Sequence, residues 1–245
     1  MAPIRKGDGT ALEIPGVSEV RSGDGRVFFE GDAIPDSAVD QYEIDEGSAD
    51  TLTNATGTID ATITGASWTE NADLVGGWGL SFDGSGSDRV DTDSVLDNPI
   101  DNNPSFAFAV TIDPNDLSSN QYLMRLENPE DHFYNLQIDD GNIVARGRPD
   151  GSTDIENGAT LPDELVRAGV EFDGDNMEAR VYVNGVDESE GLTGHTGINE
   201  VVGTRLGDDP NNDRPYDGLM DNPIWYDSLI EESGFEDDYQ AQPFA

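Results

Sequence analysis

Cysteine is absent from this sequence, and Lys6 is its only lysine. Without cysteine, the chain has neither a disulfide framework nor a thiolate metal site. No apolar run approaches the roughly 18 residues of a membrane-spanning helix, and the N-terminal residues lack the apolar segment of a secretory signal. We therefore expect a protein that is made in the cytoplasm and does not enter a membrane.

Positive charge is almost as scarce as lysine. The chain has 12 basic and 52 acidic residues, which give a formal net charge of -40. A nucleic-acid-binding protein needs a basic surface to displace counterions, and an anionic membrane repels a chain of this charge. We expect neither nucleic acid nor a membrane surface as a partner.

The acidic surface suits a protein that works in molar salt. At such salt the Debye length falls to roughly 3 Å, so repulsion between like charges is screened while hydrated carboxylates keep the surface soluble. An acidic protein from a low-salt cell is the alternative, but such chains usually keep more lysine than this one. The composition therefore favours a halophilic source.

Short apolar stretches recur from residue 58 to residue 226, separated by turn pairs such as Asp140-Gly141 and Asn184-Gly185. These pairs favour tight turns between antiparallel strands, because glycine accepts a positive φ without strain. The acidic tail at residues 231–239 is expected to form one short helical turn at most. The pattern predicts an all-β fold, a two-sheet antiparallel sandwich.

A short repeat opens the chain: IRKGDG at residues 4–9 returns as VRSGDG at residues 20–25. Asp-Gly between extended residues predicts a β-hairpin over residues 17–30. About thirty residues cannot form a stable core of their own, so the hairpin is expected to dock on another subunit or on the rest of the chain. We assign residues 1–36 to an N-terminal assembly segment and residues 37–245 to the main domain.

Five stretches of the main domain carry further motifs. They include GGWGLSFDGSGSDRVD at residues 76–91, PSFAFAVTIDP at 104–114 and the closing stretch at 204–229, which contains DGLMDNPIWYDSL; the other two cover 42–68 and 166–186. Together, in this order, they resemble the laminin-G-like, concanavalin-A-like jelly rolls. Pro223 stands where that family usually has a β-branched residue, so we expect an edge strand or a bulge there, with Trp225 in the main inward position.

The N-terminal segment resembles those of structural proteins of tailed viruses that infect salt-loving archaea. Together with the jelly-roll resemblance, this implies a protein exposed on the virion surface that adheres to host glycans, as a tail fibre, spike or capsid turret. Its expected partners are other virion proteins, bound through the N-terminal segment, further copies of the same chain, and a host surface glycan or glycoprotein. A purely structural decoration protein and a cellular glycan-binding or glycoside-processing protein of a halophile are the alternatives.

Hydrolases with this fold carry a Glu-x-Asp-x-x-Glu motif. The nearest stretch here contains Glu171 and Asp173 but has Asn176 in place of the last glutamate. Glycoside hydrolysis needs a pair of carboxylates spaced across one substrate, and this stretch runs into a turn instead. We therefore expect a binding protein and not an enzyme.

Jelly rolls of this type often hold a calcium ion that clips the closing strand to the opening one. Carried over by motif, Asp221 is the expected main ligand, with Asp45 and the carbonyl group of Gly84 beside it. Carboxylates and backbone carbonyls are the hard oxygen ligands that Ca²⁺ prefers. The alternative, in which Asp221 only accepts hydrogen bonds from turn amides, stays open.

A polar loop before the closing strand is the expected ligand surface. Asp209, Asn211 and Asn212 carry groups that hydrogen-bond sugar hydroxyls, and Tyr216 is placed to stack on a pyranose ring. A solvated loop that binds nothing is the alternative.

Overall fold

The computed structural model describes residues 18–21, 27–30, 38–56, 60–92, 105–127, 133–148, 154–162, 164–176, 178–189, 192–193, 203–208 and 213–244. The strands are β1 (Ser18–Arg21), β2 (Val27–Glu30), β3 (Ala38–Gln41), β4 (Thr51–Leu52), β5 (Ala61–Thr64), β6 (Ser67–Glu70), β7 (Trp78–Asp83), β8 (Arg89–Thr92), β9 (Phe106–Pro114), β10 (Gln121–Glu127), β11 (Phe133–Asp139), β12 (Asn142–Arg148), β13 (Asp154–Thr160), β14 (Val166–Asp173), β15 (Glu178–Val183), β16 (Val186–Asp187), β17 (Leu192–Thr193), β18 (Gly203–Leu206) and β19 (Asp217–Tyr226). A 3-10 turn, Val75–Gly77, precedes β7, and the helix α1, Glu231–Gln240, follows β19.

Two antiparallel sheets form the main domain. One has eight strands in the order β13-β12-β11-β10-β18-β8-β5-β4. The other has nine strands: the order β16-β15-β14-β9-β19-β7-β6 is joined by β17, which pairs with β15, and by β3, which pairs with β19. The predicted all-β, two-sheet jelly-roll sandwich is confirmed.

Alternating side chains fill the space between the sheets. In β9, Phe106 and Phe108 point into the core, while Ala107 and Ala109 lie on the opposite face of the sheet, as the two-residue period of a strand requires. Trp225 is fully buried, and its ring centroid lies 4.7 Å from that of Phe108. The expected inward position of Trp225 is confirmed.

Pro223 lies in a central strand. β19 pairs with β9 on one side and with β7 and then β3 on the other, so the expected edge strand is wrong. The pairing with β9 shifts register between Asp221 and Ile224, and Asn222 has a φ of 47°. The expected bulge is therefore confirmed, because a bulge leaves a residue unpaired and so tolerates a proline without an N–H group.

The C-terminal helix is longer than the single turn that the sequence predicted. α1 runs for 10 residues and packs on the face of the nine-stranded sheet that points away from the core. Phe235 stacks on Tyr182 with ring centroids 3.9 Å apart, and Gly169 leaves room for it, since a β-carbon there would clash with the Phe235 ring. This packing stabilises a helix whose intrinsic propensity is weak. No helix among the described residues is long and apolar enough to cross a membrane.

The N-terminal hairpin forms a sheet of its own. β1 and β2 pair with each other, with Val20 opposite Phe28. The two strands of the predicted hairpin are confirmed, and the Asp-Gly turn between them lies outside the described residues.

Candidate functional site

The eight-stranded sheet has a polar outer face, which points away from the core. In β11, Tyr134 and Leu136 belong to the core. Because side chains alternate along a strand, Phe133, Asn135 and Gln137 point to the other face. A hydrophobic strand thus carries an amide pair on its outer side.

Cross-strand pairing aligns several outer side chains into one row, here called the arginine row. Its members, each paired directly with the next, are Arg146 on β12, Asn135 on β11, Arg125 on β10, Arg205 on β18, Asp91 on β8 and Thr62 on β5. Neighbouring strands are about 4.8 Å apart, so the row is about 24 Å long. Two of its central members, Asn135 and Arg125, are buried, at 0% and 5% exposure.

Carboxylates and aromatic rings hold the arginine side chains in place. Asp91 accepts hydrogen bonds from Arg205 Nε and Arg89 Nε, each at 2.8 Å. At the other end of the row, Asp139 accepts a hydrogen bond from Arg146 Nη2. These ion pairs hold the guanidinium groups of Arg89, Arg205 and Arg146 in fixed positions.

Arg125 occupies the centre of the row. Its guanidinium carbon lies 4.2 Å from the ring centroid of Phe133 and 5.3 Å from that of Tyr122, and its Nη1 donates to the Tyr122 hydroxyl over 3.3 Å. Cation–π contacts with two rings orient a guanidinium group strongly.

Several buried polar atoms of this face have no hydrogen-bond partner. Asn135 is 0% exposed, and both its Oδ1 and its Nδ2 are unpartnered; the same is true of Gln137 Oε1 and Arg146 Nε. Each buried polar group without a partner costs about 1–3 kcal/mol, so such groups are rare in native proteins. Asn135 pairs directly with Arg146 and lies two residues from Gln137, so these donors and acceptors form one cluster.

The expected ligand residues fall in two places. Asp209, Asn211 and Asn212 lie outside the described residues. Tyr216 is 0% exposed, and its hydroxyl donates to the carbonyl of Leu219 over 2.9 Å. The expectation that Tyr216 stacks on a sugar is corrected, because its ring belongs to the core, next to Phe82.

Of the three expected metal ligands, the structure brings Asp221 and Asp45 together but not Gly84. Asp221 Oδ2 accepts a hydrogen bond from the Val75 amide over 3.0 Å, and a β-carbon on Gly76 would clash with the Asp45 side chain, so the 3-10 turn brings Asp221 and Asp45 near each other. Gly84 instead donates its amide hydrogen to the carbonyl of Tyr216, five residues before Asp221. At about 3.3 Å per residue this separation is about 16 Å, so Gly84 cannot bind the same ion, and its assignment is corrected.

The remaining pair partly fits a calcium ion. Asp221 is fully buried, and its Oδ1 has no hydrogen-bond partner. Burial raises the pKa of Asp221 well above its usual range. The hydrogen bond from Val75 and the charge of Arg167 lower it in part, and the charge of Asp45 makes the last and smallest contribution to the rise. A cation between two such carboxylates would relieve their repulsion. No cluster of three or more potential metal-binding side chains occurs in the described part of the chain, so further ligands would have to be carbonyl groups or water.

The carboxylates of Glu171 and Asp173 both accept hydrogen bonds from nearby parts of the fold. Glu171 Oε1 accepts hydrogen bonds from the amides of Ile230 and Glu231, each at 2.7 Å, and its Oε2 accepts one from Tyr182. Glu171 thereby satisfies amides at the start of α1. Asp173 accepts hydrogen bonds from two amides of the turn that follows β14. Both carboxylates stabilise the fold where they lie.

Sequence reasoning missed the arginine row. The available signal was the alternation of polar and apolar residues in FYNLQID at residues 133–139, which marks Asn135 and Gln137 as outward residues. Which arginines lie beside them depends on strand order and register.

The sequence profile of the Laminin_G_3 family, described as the concanavalin A-like lectin/glucanases superfamily, matches residues 82–233, more than half of the chain. No curated protein matches this chain.

Three solved structures illustrate the likeness of fold. Domain 4 of AbnA, an extracellular arabinanase of Geobacillus stearothermophilus, was solved in complex with arabinotriose; it has a TM-score of 0.62 and 19% identity, over 82% of this chain and 98% of that one. Botulinum neurotoxin type C, whose cell entry depends on two ganglioside molecules, has a TM-score of 0.65 and 12% identity, over 84% of this chain and 51% of that one. Trypanosoma rangeli sialidase, solved with sialic acid, has a TM-score of 0.60 and 15% identity, over 83% of this chain and 32% of that one. This chain thus spans 51% of the neurotoxin chain and 32% of the sialidase chain, and the likeness concerns the fold.

Proposed function

Since this chain belongs to the Laminin_G_3 family, we propose that it binds glycans through the outer face of its eight-stranded sheet. The single observation that carries the proposal is Asn135, a buried amide whose donor and acceptor both lack partners. A sugar hydroxyl is both a donor and an acceptor, so a hydroxyl pair would satisfy the Asn135 amide. Similarity to carbohydrate-binding domains of the same fold supports this assignment.

Arg146 and Gln137 would complete the polar contacts. Arg146 Nε is a donor and Gln137 Oε1 an acceptor, and both are buried beside Asn135 without partners. Because Asn135 is fully buried, a ligand reaches it only when side chains above it change rotamer, as is common at binding surfaces.

The wider role that we propose is adhesion at the surface of a haloarchaeal virus particle. The supporting observations are the -40 net charge and the opening repeat, together with a hairpin whose strands form a separate sheet. Residues 1–36 would join the chain to other virion proteins or to further copies of itself. Deleting residues 1–35 should leave a folded domain that no longer enters particles, as immunoblots of purified virions would show; normal incorporation would refute this division.

We propose binding without hydrolysis. The support is that Glu171 and Asp173 hold a helix start and a turn. Incubating the protein with its best glycan ligand and analysing products by mass spectrometry tests this; cleavage products would contradict it.

We also propose a calcium clip between Asp221 and Asp45, supported by the buried, unpartnered Asp221 Oδ1. The bound ion would supply positive charge that joins the opening segment to the closing strand. The Val75 amide would keep its hydrogen bond and orient the Asp221 carboxylate.

A glycan array tests the binding site. Wild-type protein should bind a subset of the glycans, and Asn135→Ala should lose about tenfold or more in affinity, since it removes hydrogen bonds in a buried site. Asn115→Ala is the matched control, because Asn115 is exposed and follows β9 of the other sheet. Folded wild-type protein that binds no glycan, or equal binding by both variants, would reject the proposal.

A further inference from the structure

We infer that the outer-face site binds two neighbouring hydroxyl groups of one sugar ring, and that Asp139 determines which atoms of the site meet them. This inference rests on the proposed glycan-binding function and names the chemical class of the ligand for the same site. Four buried atoms carry it: Asn135 Oδ1, Asn135 Nδ2, Gln137 Oε1 and Arg146 Nε, each of which lacks a hydrogen-bond partner. Two of these atoms are donors and two are acceptors.

Asp139 holds both of the side chains that lie beside Asn135. Its Oδ2 accepts a hydrogen bond from Gln137 Nε2 over 3.4 Å and another from Arg146 Nη2. Because an ionised carboxylate only accepts hydrogen bonds, the Gln137 amide must turn its nitrogen toward Asp139. This leaves the Gln137 oxygen and the Arg146 Nε without partners beside the Asn135 amide. Asp139 is therefore a positioning residue, which acts on the ligand through Gln137 and Arg146.

The four atoms belong to neighbouring positions on two adjacent strands. Asn135 on β11 pairs directly with Arg146 on β12, and Gln137 follows Asn135 two residues later on the same face. Neighbouring strands are about 4.8 Å apart, and residues of one face are about 6.6 Å apart along a strand. The three side chains therefore arise from an area about the size of one sugar residue.

Two neighbouring hydroxyl groups would satisfy all four atoms. Each hydroxyl donates one hydrogen bond and accepts at least one, so a pair supplies two donors for the Asn135 and Gln137 oxygens and two acceptors for the Asn135 and Arg146 nitrogens. A carboxylate or sulfate group only accepts, so it would leave both oxygens unsatisfied at the full cost of their desolvation. Arg146 also has Asp139 as its counterion already. The site therefore selects hydroxyl groups over anions.

Calorimetry with modified sugars tests the hydroxyl pair, in about 2 M NaCl, where repulsion among the carboxylates of the protein is screened. The probes are methyl glycosides of β-1,4-linked tetrasaccharides of mannose and of glucose, whose hydroxyl groups at carbons 2 and 3 are cis and trans. Wild-type protein should bind at least one of them. 3-O-Methylation leaves no ring with two neighbouring free hydroxyl groups, so it should weaken binding about tenfold or more. 6-O-Methylation, the control, leaves the pair intact and should change the affinity by about twofold or less.

Two variants test the role of Asp139. Asp139→Asn replaces a group that only accepts by an amide that also donates, so Gln137 can turn its oxygen away from the ligand. This variant should reduce the preference for unmodified over 3-O-methylated sugar to about twofold or less. Asp140→Asn removes the same charge at the next residue, which is exposed and has a φ of 50° that asparagine tolerates, and it should keep the full preference. Thermal melts establish that both variants fold.

The outcomes distinguish this inference from the glycan-binding function. Binding that 3-O-methylation leaves unchanged but Asn135→Ala weakens would overturn the hydroxyl pair and leave the function standing. Binding to glycans of the array but to neither tetrasaccharide would do the same. A preference that Asp139→Asn retains in full would overturn the positioning role of Asp139. Folded wild-type protein that binds no glycan would reject both proposals.

Discussion

The guanidinium group of Arg167 and the carboxylate of Asp238 form two parallel hydrogen bonds, from Nε to Oδ2 at 2.6 Å and from Nη2 to Oδ1 at 3.0 Å. Both side chains are almost completely buried. Arg167 Nη1 also donates to the carbonyl of Asn222 over 2.7 Å. One arginine therefore joins the C-terminal helix to the bulge of the closing strand.

Asp238→Asn should lower the free energy of unfolding by about 3–5 kcal/mol, because it leaves the buried Arg167 charge without its counterion. Urea unfolding monitored by circular dichroism measures the loss. Asp237→Asn is the control, since Asp237 is exposed in the same helix. Equal stability of the two variants would show that the ion pair is not what holds α1 to the sheet.

Asp221→Asn should have opposite effects with and without calcium. In chelator, the variant should be as stable as wild type or more stable, because a buried carboxylate is replaced by a neutral amide. In calcium at about 100 times the dissociation constant, wild type should gain roughly 2.7 kcal/mol that the variant lacks. Differential scanning calorimetry in both buffers measures this, and identical wild-type melts would eliminate the calcium clip.

Asp40 should make the protein less stable as the pH rises toward neutrality. Burial raises the pKa of this carboxyl group, and the hydrogen bond from Asn54 offsets only part of the rise. The folded state therefore holds the proton more tightly than the unfolded chain, whose aspartates titrate near about pH 4. The stabilising contribution is complete below that pH and is lost as the pH rises through the folded-state pKa.

Chemical unfolding between about pH 4 and pH 7 should show this slope, and Asp40→Asn should flatten it. Asp173 acts in a different window: burial tends to raise its pKa, but hydrogen bonds from Asn176 and Asp175 hold it below its usual value. Its stabilising contribution is present above about pH 4 and is lost as the pH falls through its folded-state pKa. If the free energy of unfolding of Asp40→Asn changes with pH as steeply as that of wild type, the pH dependence belongs to groups other than Asp40.

Asn135→Leu should raise the free energy of unfolding by about 1 kcal/mol and abolish glycan binding. The reason is that the native amide is buried with two unpartnered atoms, whose cost an apolar side chain of similar size avoids. Paired thermal melts and binding assays test the trade-off. A destabilised variant would mean that the Asn135 amide already has a partner in the free protein, such as an ordered water molecule.

Removing salt should destabilise the fold. At a net charge of -40, lowering NaCl to about 0.1 M extends the screening length to roughly 10 Å and allows carboxylates to repel one another. Melting temperatures measured from low to molar NaCl should rise with salt. An unchanged melting temperature would contradict the halophilic interpretation.

The sequence by itself determined the class of fold and much of the closing strand. Alternating apolar residues and Asp-Gly turns are signals between near neighbours in the chain, so the pattern was sufficient to predict a β sandwich. The resemblance to the jelly-roll family added the inward position of Trp225. The missing N–H group of Pro223 likewise predicted an edge strand or a bulge, and β19 contains the bulge.

Tertiary structure decided the features that join distant residues. The sequence did not show that β19 is central, that α1 continues to Gln240, or that Tyr216 belongs to the core, because each depends on which strands and side chains meet. The arginine row is the clearest case: Arg205, Arg125 and Arg146 belong to three separate strands. Local spacing gave each strand its two faces, but only the order and register of the strands placed these residues side by side.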